Sequence, residues 1–274
     1  MAASVHQIAK AGFGAGTNEL YDRARPSYRP EALAHIRAAA RGPAPLNVLE
    51  VGSGTGIFTR ALLAHPDWKD ALAELRAVEP VEGMRAQFAS TVADKRVSVA
   101  EGTFDTTGVP DGWADLVVVA QAFHWCPDYD KASREFTRVL KPDGVVALIW
   151  NLEDRDRAKW TAQLRDVYEK HEKGTPQFRL GLWRATFDTA GYKEGFEPPE
   201  ESVFTYSLLG TEDIVINRVL SKSYIAILPE DEKAKVIEDL KAVLAKADEL
   251  VWTNKEKGEF EYPYNTLVII AKKK

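Results

Sequence analysis

The chain has 274 residues, 45% hydrophobic and 28% charged, and a formal net charge of −5 at pH 7, an ordinary balance for a protein with a sizeable packed core. The acidic excess, with no long run of Lys and Arg, argues against a nucleic-acid backbone as the main partner, because that needs a basic face. The single Cys126 excludes an internal disulfide and any multi-cysteine zinc site, and His6, His35, His65, His124 and His171 are too dispersed for a metal-ligand spacing.

The opening MAASVHQIAKAGFGAG has no basic start followed by an apolar core, and no apolar run approaches the ~20 residues of a membrane span. The expectation is a cytoplasmic protein without signal peptide or membrane partner. Residues 1–30 read as an arm, with glycines at 12, 14 and 16 and Pro26 and Pro30 limiting regular structure in YDRARPSYRP. A short helix follows over 30–41. LNVLEVG (46–52) is a nearly continuous apolar run, as a strand buried on both faces requires, and a helix runs from there to about Ala64. Further strands are predicted at 74–80, 96–102, 114–123 and 145–151, with helices over 81–92 and through DYDKASREFTRVL, where Pro142 and Gly144 act as stop signals. This alternation predicts an α/β fold, a Rossmann-like doubly wound parallel sheet. Beyond residue 152 the rhythm changes. Helices are predicted over 156–172, 181–191, 211–224 and 230–252, and strands over 201–208 and 261–273, which reads as a helical cap on the same domain. The domain reading is therefore 1–45 arm and first helix, 46–152 ligand-binding core, and 153–274 cap and final strands.

The turn GSGTG after the first strand points backbone N–H groups and a helix N-terminus at whatever lies above the sheet, the place for a nucleotide-like ligand. A dinucleotide turn spaces its glycines G-x-G-x-x-G, which would put the third at position 57. Position 57 is Ile and the third glycine is Gly56, so the sequence leans away from NAD. Glu79, 27 residues after Gly52 at the end of the second strand, is placed to accept hydrogen bonds from both ribose hydroxyls of an adenosine.

The run VLEVGSGTG…AVEP…EGTFD…VVVAQAFHW…RVLKPDG…IWN resembles class I S-adenosylmethionine-dependent methyltransferases, in particular the group of trans-aconitate methyltransferases and fungal gliotoxin-type bis-thiomethyltransferases. The similarity extends through YDRARPSYRP, SKSYIAILPEDEK and YPYNT. The resemblance implies a sheet of about seven strands whose last strand is antiparallel, with S-adenosyl-L-methionine across the strand ends and a small-molecule methyl acceptor. It implies that Gly52, Ser53, Gly54 and Gly56 curve around the methionine part, that Glu79 holds the ribose, and that Pro80 and Met84 flank ribose and adenine. Thr103 and Phe104 would line the adenine pocket. Many relatives carry Asp at the position of Thr103, so that hydrogen bond lacks its usual acceptor here, with Asp105 as the substitute to test. Ala120, Gln121 and Ala122 would lie beneath the methionine carboxylate and amine.

Methyl transfer from a sulfonium is an in-line displacement, so aromatic walls that align the partners and exclude water are expected, and ring faces favour the cation. Phe123 and Trp150 are the candidates, with Tyr28 closing the acceptor side, while Trp125 and Cys126 read as packing. His124 is either a general base for an acidic hydroxyl or thiol or a structural histidine. Asn151 either orients substrate or caps the following helix. Tyr21 and Arg25 in the arm are expected over the pocket, with Arg25 near the methionine carboxylate, near an anionic substrate, or paired on the surface. Trp183, Tyr224 and Trp252 are cap residues expected to shape the acceptor pocket. For a carboxylate acceptor the candidate cations are Arg25, Arg29 and Arg184. The rival readings are a nicotinamide-dependent oxidoreductase, disfavoured by Ile57, and a cofactor-binding protein without turnover.

Overall fold

The structure, a computed structural model, describes residues 18–42 and 44–274; the glycines expected at 12, 14 and 16 of the arm lie outside the described residues. Eight strands form one sheet: β1 (Leu46–Val51), β2 (Leu72–Val78), β3 (Val97–Ala100), β4 (Ala114–Ala120), β5 (Leu140–Glu153), β6 (Glu200–Gly210), β7 (Trp252–Asn254) and β8 (Glu259–Lys272). The order is β3-β2-β1-β4-β5-β8-β6, with the three-residue β7 paired to β8 as the strand beyond the expected seven. β1 to β5 pair in parallel, and the last strand, β8, runs antiparallel to β5, β6 and β7.

The apolar runs explain the layering. Successive side chains of a strand point to opposite faces, and β4 sends Leu116, Val118 and Ala120 into one core and Val117 and Val119 into the other. The first core packs the sheet against the helices Pro30–Ala39 and Ile57–Ala64 through Leu33, Ile36, Phe58 and Leu62. The second packs it against the helix Tyr129–Val139 and against Trp183 and Tyr192. A third cluster joins the helices Lys159–Glu169, Glu212–Leu220 and Glu230–Ala245 to the ends of β6 and β8 through Trp160, Val219, Leu240 and Tyr262. Chain order reverses between β1 and β4, so the crevice at the carboxyl ends of these strands is where such a sheet binds ligand.

Several boundaries differ from the sequence expectation. The arm contains a helix, Asn18–Ala24, that ends before Pro26. The segment expected as one helix over 181–191 is a 3₁₀ stretch, Leu182–Asp188, followed by a new helix Ala190–Gly195 whose first turn is capped by Thr189 accepting from the Tyr192 N–H. The helix expected over 211–224 breaks at Ser221 and Lys222, because Ser221 Oγ donates back to the Arg218 carbonyl and the chain restarts at Ser223–Ala226. The helix expected over 230–252 stops at Ala245, and Trp252 opens the β7–β8 hairpin closed by Gly258 at φ 67. No helix among the described residues is long and apolar enough to cross a membrane.

Candidate active site

At the end of β1 the chain makes the glycine turn. Gly52, Gly54 and Gly56 have φ of 72, 56 and 85, a left-handed backbone in which a side chain is strained. Space adds a second constraint at Gly52, where a Cβ would stand 2.7 Å from the Cβ of Ala122. The Gly52 and Ser53 N–H groups both donate to the Val78 carbonyl at the end of β2. Glu79 then turns its carboxylate back under the turn, accepting from Gly54 N at 3.0 Å and Val81 N at 2.9 Å. Burial raises the Glu79 pKa, and these two N–H groups and Arg85 oppose the rise.

An open cavity, about 510 Å³ with the solvent space at its mouth included, lies above this turn. Of the expected residues, Gly52, Ser53, Gly54, Met84, Ala120, Gln121, Ala122 and Tyr21 line it. Gly56 starts the following helix against Phe88 and Val92. Glu79, Pro80, Thr103 and Phe104 stand outside the lining: Glu79 braces the turn from beneath, Thr103 donates to Asp105 Oδ1 at 2.7 Å, and Phe104 packs edge-on against Phe123. Tyr28, expected on the acceptor side, lines this cavity instead, its ring edge-on to Phe58 at 5.2 Å. Glu50 went unread in the sequence and is 1% exposed; its Oε2 accepts from Thr59 Oγ1 while Oε1 has no hydrogen-bond partner. Burial pushes its pKa up to about 8. Ser53 Oγ is likewise buried without a partner.

A second open cavity, about 650 Å³ with the solvent space at its mouth included, shares Tyr21, Gln121 and Trp125 with the first. Gln121, at φ 57, spans the junction and donates from Nε2 to the Asn151 carbonyl at 2.7 Å. Trp125, read as core from the sequence, is a wall common to both cavities. His124 lines the second cavity, and its Nδ1 accepts from Trp150 Nε1 at 3.2 Å. The proton of the neutral ring therefore sits on Nε2. Burial, helped by Arg25, lowers the His124 pKa to about 3, so the ring holds a proton weakly. Asn151 also lines the cavity, but both ends of its amide are engaged: Nδ2 donates to the Ser27 carbonyl and Oδ1 accepts from Thr266 Oγ1 at 2.6 Å. Asn151 thus ties the arm to β8 and does not cap the next helix, whose N-cap is Ala158.

Phe123 and Trp150, expected as substrate walls, lie in the second core behind the cavity, Phe123 against Phe136 and Trp150 stacked on Phe178 and tilted against Trp183. Of the cap residues, Tyr224 lines the second cavity, Trp183 is buried in the core, and Trp252 is 42% exposed. Of the candidate cations only Arg25 reaches the cavity; Arg29 sits over Tyr206 and Arg184 pairs with Glu201. The cations that sequence reasoning missed are Arg179, Arg218 and Lys222. Arg218 and Lys222 surround buried Glu153, with Arg218 Nε at 3.4 Å and Lys222 Nζ at 3.3 Å from its carboxylate. Burial works against the Glu153 charge, but Lys222 and Arg218 hold its pKa well below the usual range. Burial, together with Arg218 and Arg25, lowers Lys222 to about 7 against the pull of Glu153.

Comparison with known proteins places this geometry among relatives. Residues 49–148 match a family model described as a methyltransferase domain. An uncharacterized methyltransferase-like protein of Schizosaccharomyces pombe is 31% identical over 221 residues, covering 80% of this chain and 81% of its own. An uncharacterized methyltransferase of Mycobacterium tuberculosis is 30% identical over 251 residues, covering 92% and 91%. Among solved structures, the YcgJ protein of Bacillus subtilis superposes with a TM-score of 0.55 at 20% identity, covering 90% of this chain and 99% of that one. A Haemonchus contortus phosphoethanolamine N-methyltransferase bound to S-adenosyl-L-methionine superposes with a TM-score of 0.53 at 14% identity, over 92% of this chain and 56% of that one. At these identities the structural likeness speaks for the fold.

Proposed function

Because this chain belongs to the class I S-adenosylmethionine-dependent methyltransferases, we propose that it transfers a methyl group in line to a small-molecule acceptor at a thiol, hydroxyl or carboxylate. The observation that carries this reading is the pair of neighbouring cavities that have Tyr21, Gln121 and Trp125 in common in their walls. Two pockets meeting at common walls are what a displacement needs, since donor and acceptor must approach along one line with water excluded.

The residues of the first cavity fit the donor. S-adenosylmethionine supplies a methyl group activated on a sulfonium. Glu50 Oε1 and Ser53 Oγ, buried without partners, suit an ammonium and a carboxylate respectively. Glu79 uses one hydrogen bond on each oxygen to brace the turn and keeps lone pairs for ribose hydroxyls. Tyr28 and Trp125 add aromatic rings of the kind that suit a sulfonium, while the Tyr21 ring already carries the Arg25 guanidinium 4.7 Å from its centroid. His124, with Nδ1 bound to Trp150 and a low pKa, serves as a neutral wall that presents its Nε2 proton and does not store one.

Within the family we favour the resemblance to the trans-aconitate and gliotoxin-type enzymes, carried by YDRARPSYRP, VVVAQAFHW and YPYNT. The test is formation of S-adenosylhomocysteine from S-adenosylmethionine with panels of thiols, phenols and carboxylic acids. Acceptor-dependent turnover is the expected result. Tight S-adenosylmethionine binding with no turnover on any panel would leave a binding protein without catalysis.

A further inference from the structure

The wall of the second cavity carries more positive charge than its carboxylates balance. Arg179 is committed to Glu172 and Glu169, and Arg165, which lies outside the lining, also pairs with Glu169, so the two acids of the wall are already neutralised. On the other side Arg25, Arg218 and Lys222, the last only partly protonated near pH 7, face the single carboxylate of Glu153. Arg218 is 2% exposed and Lys222 6% exposed. The guanidinium of Arg218 gives Nε to Tyr264 Oη at 3.0 Å, while its Nη1 is buried with no hydrogen-bond partner. Arg25 gives Nη2 to the Ser221 carbonyl at 3.0 Å, and its Nε is buried and unpartnered as well. Lys222 reaches Glu153 and otherwise meets the face of Tyr168 at 4.3 Å.

Desolvated charges and unfilled donors of this kind are costly unless an anion completes them. Guanidinium groups bind planar oxyanions through parallel hydrogen bonds. The three cations line the second cavity and none of them lines the first, so the missing anion belongs on the acceptor side of the junction. Resting on the methyltransferase reading above, we infer that the acceptor carries a carboxylate or phosphate group that docks between Arg25, Arg218 and Lys222. An acceptor of this class is selected by charge before any feature of the methylated atom is read, and its uncharged ester is rejected, because the ester leaves the same donors unfilled.

The experiment titrates the protein, saturated with S-adenosylhomocysteine, with acetate, succinate, citrate and inorganic phosphate, and with dimethyl succinate as the uncharged control. The expected result is binding of at least one oxyanion and none of the diester, with at least tenfold weaker binding in Arg218→Gln and in Lys222→Met. Preference for the carboxylates or for phosphate identifies which group the acceptor bears. Retained S-adenosylhomocysteine binding reports that a variant is folded, and if Arg218→Gln fails this check Lys222→Met decides alone. Absence of binding by all four oxyanions, equal binding of the diester, or unchanged affinity in the folded variants overturns the inference. Failure of the wild-type protein to bind S-adenosylhomocysteine overturns the methyltransferase reading instead.

Discussion

Alanine at Gly52 and at Gly54 separates what the turn needs for folding from what it needs for the ligand. Both glycines have positive φ, 72 and 56, so both substitutions carry the left-handed penalty of about 1–2 kcal/mol, partly offset by the stiffer unfolded chain. They differ in their surroundings. A Cβ at Gly52 meets the Ala122 Cβ at 2.7 Å, whereas a Cβ at Gly54 meets nothing within 4 Å, and Gly54 lines the first cavity. Overpacking at Gly52 adds about 1–3 kcal/mol, which at roughly 2 °C per kcal/mol for a chain of this size places the Tm of Gly52→Ala about 2–6 °C below that of Gly54→Ala. The methyl of Gly54→Ala enters space reserved for ligand, so the milder variant still loses S-adenosylmethionine affinity by roughly 5- to 150-fold, the equivalent of about 1–3 kcal/mol. Differential scanning calorimetry and isothermal titration on the two variants provide the assay. A Gly54→Ala protein that is the less stable of the two, or that binds the ligand like wild type, refutes the reasoning.

Three further outcomes follow from the same geometry. Glu79→Ala weakens S-adenosylmethionine binding by roughly 1–3 kcal/mol through lost charged hydrogen bonds, read by titration; unchanged affinity removes Glu79 from the site. Glu153→Gln leaves Arg218 and Lys222 buried without their carboxylate, at about 3–5 kcal/mol and a Tm loss of roughly 6–10 °C; a shift under about 2 °C would show the carboxylate to be dispensable. Glu50 has its pKa raised to about 8 in the folded chain, so between about pH 4.5 and pH 8 the folded state binds more protons than the unfolded one, and ligand-free stability falls as pH rises through that window. Lys222, lowered to about 7, acts in the opposite sense above that value, and His124, lowered to about 3, does so below about pH 6.5, so the readout is the difference between the two proteins: from pH 5 to pH 7 the Tm of Glu50→Gln gains on that of the wild type. Equal slopes would show that Glu50 is not protonated there.

The sheet was legible because its signals are local. LNVLEV is apolar apart from Asn47 and Glu50, and ADLVVVA apart from Asp115, runs that suit a strand covered on both faces, and β4 is buried along its whole length. The glycine turn and Glu79 were legible for the same reason, one marking the end of β1 and the other the end of β2. The two tryptophans were not: Trp125 follows β4 and Trp150 lies near the end of β5, and which one faces the cavity is decided by the 3₁₀ turn Phe123–Trp125 that follows Gln121 at φ 57. The charged cluster was also hidden, since Arg25, Glu153 and Arg218 come from the arm, the end of β5 and a cap helix, and only tertiary packing brings them together. Val251 and Trp252 continue the apolar spacing of the long cap helix, yet they are 58% and 42% exposed and lie beyond its end, a case in which periodicity outran the packing that gives it meaning.

The central claim is that the cavity above Gly52–Gly56 and Glu79 binds S-adenosylmethionine. Isothermal titration of the purified chain with S-adenosylmethionine, S-adenosylhomocysteine and NAD in parallel tests it most directly. Micromolar binding of the first two and none of NAD is the predicted result. Binding of NAD alone, or of none of the three, would contradict the account.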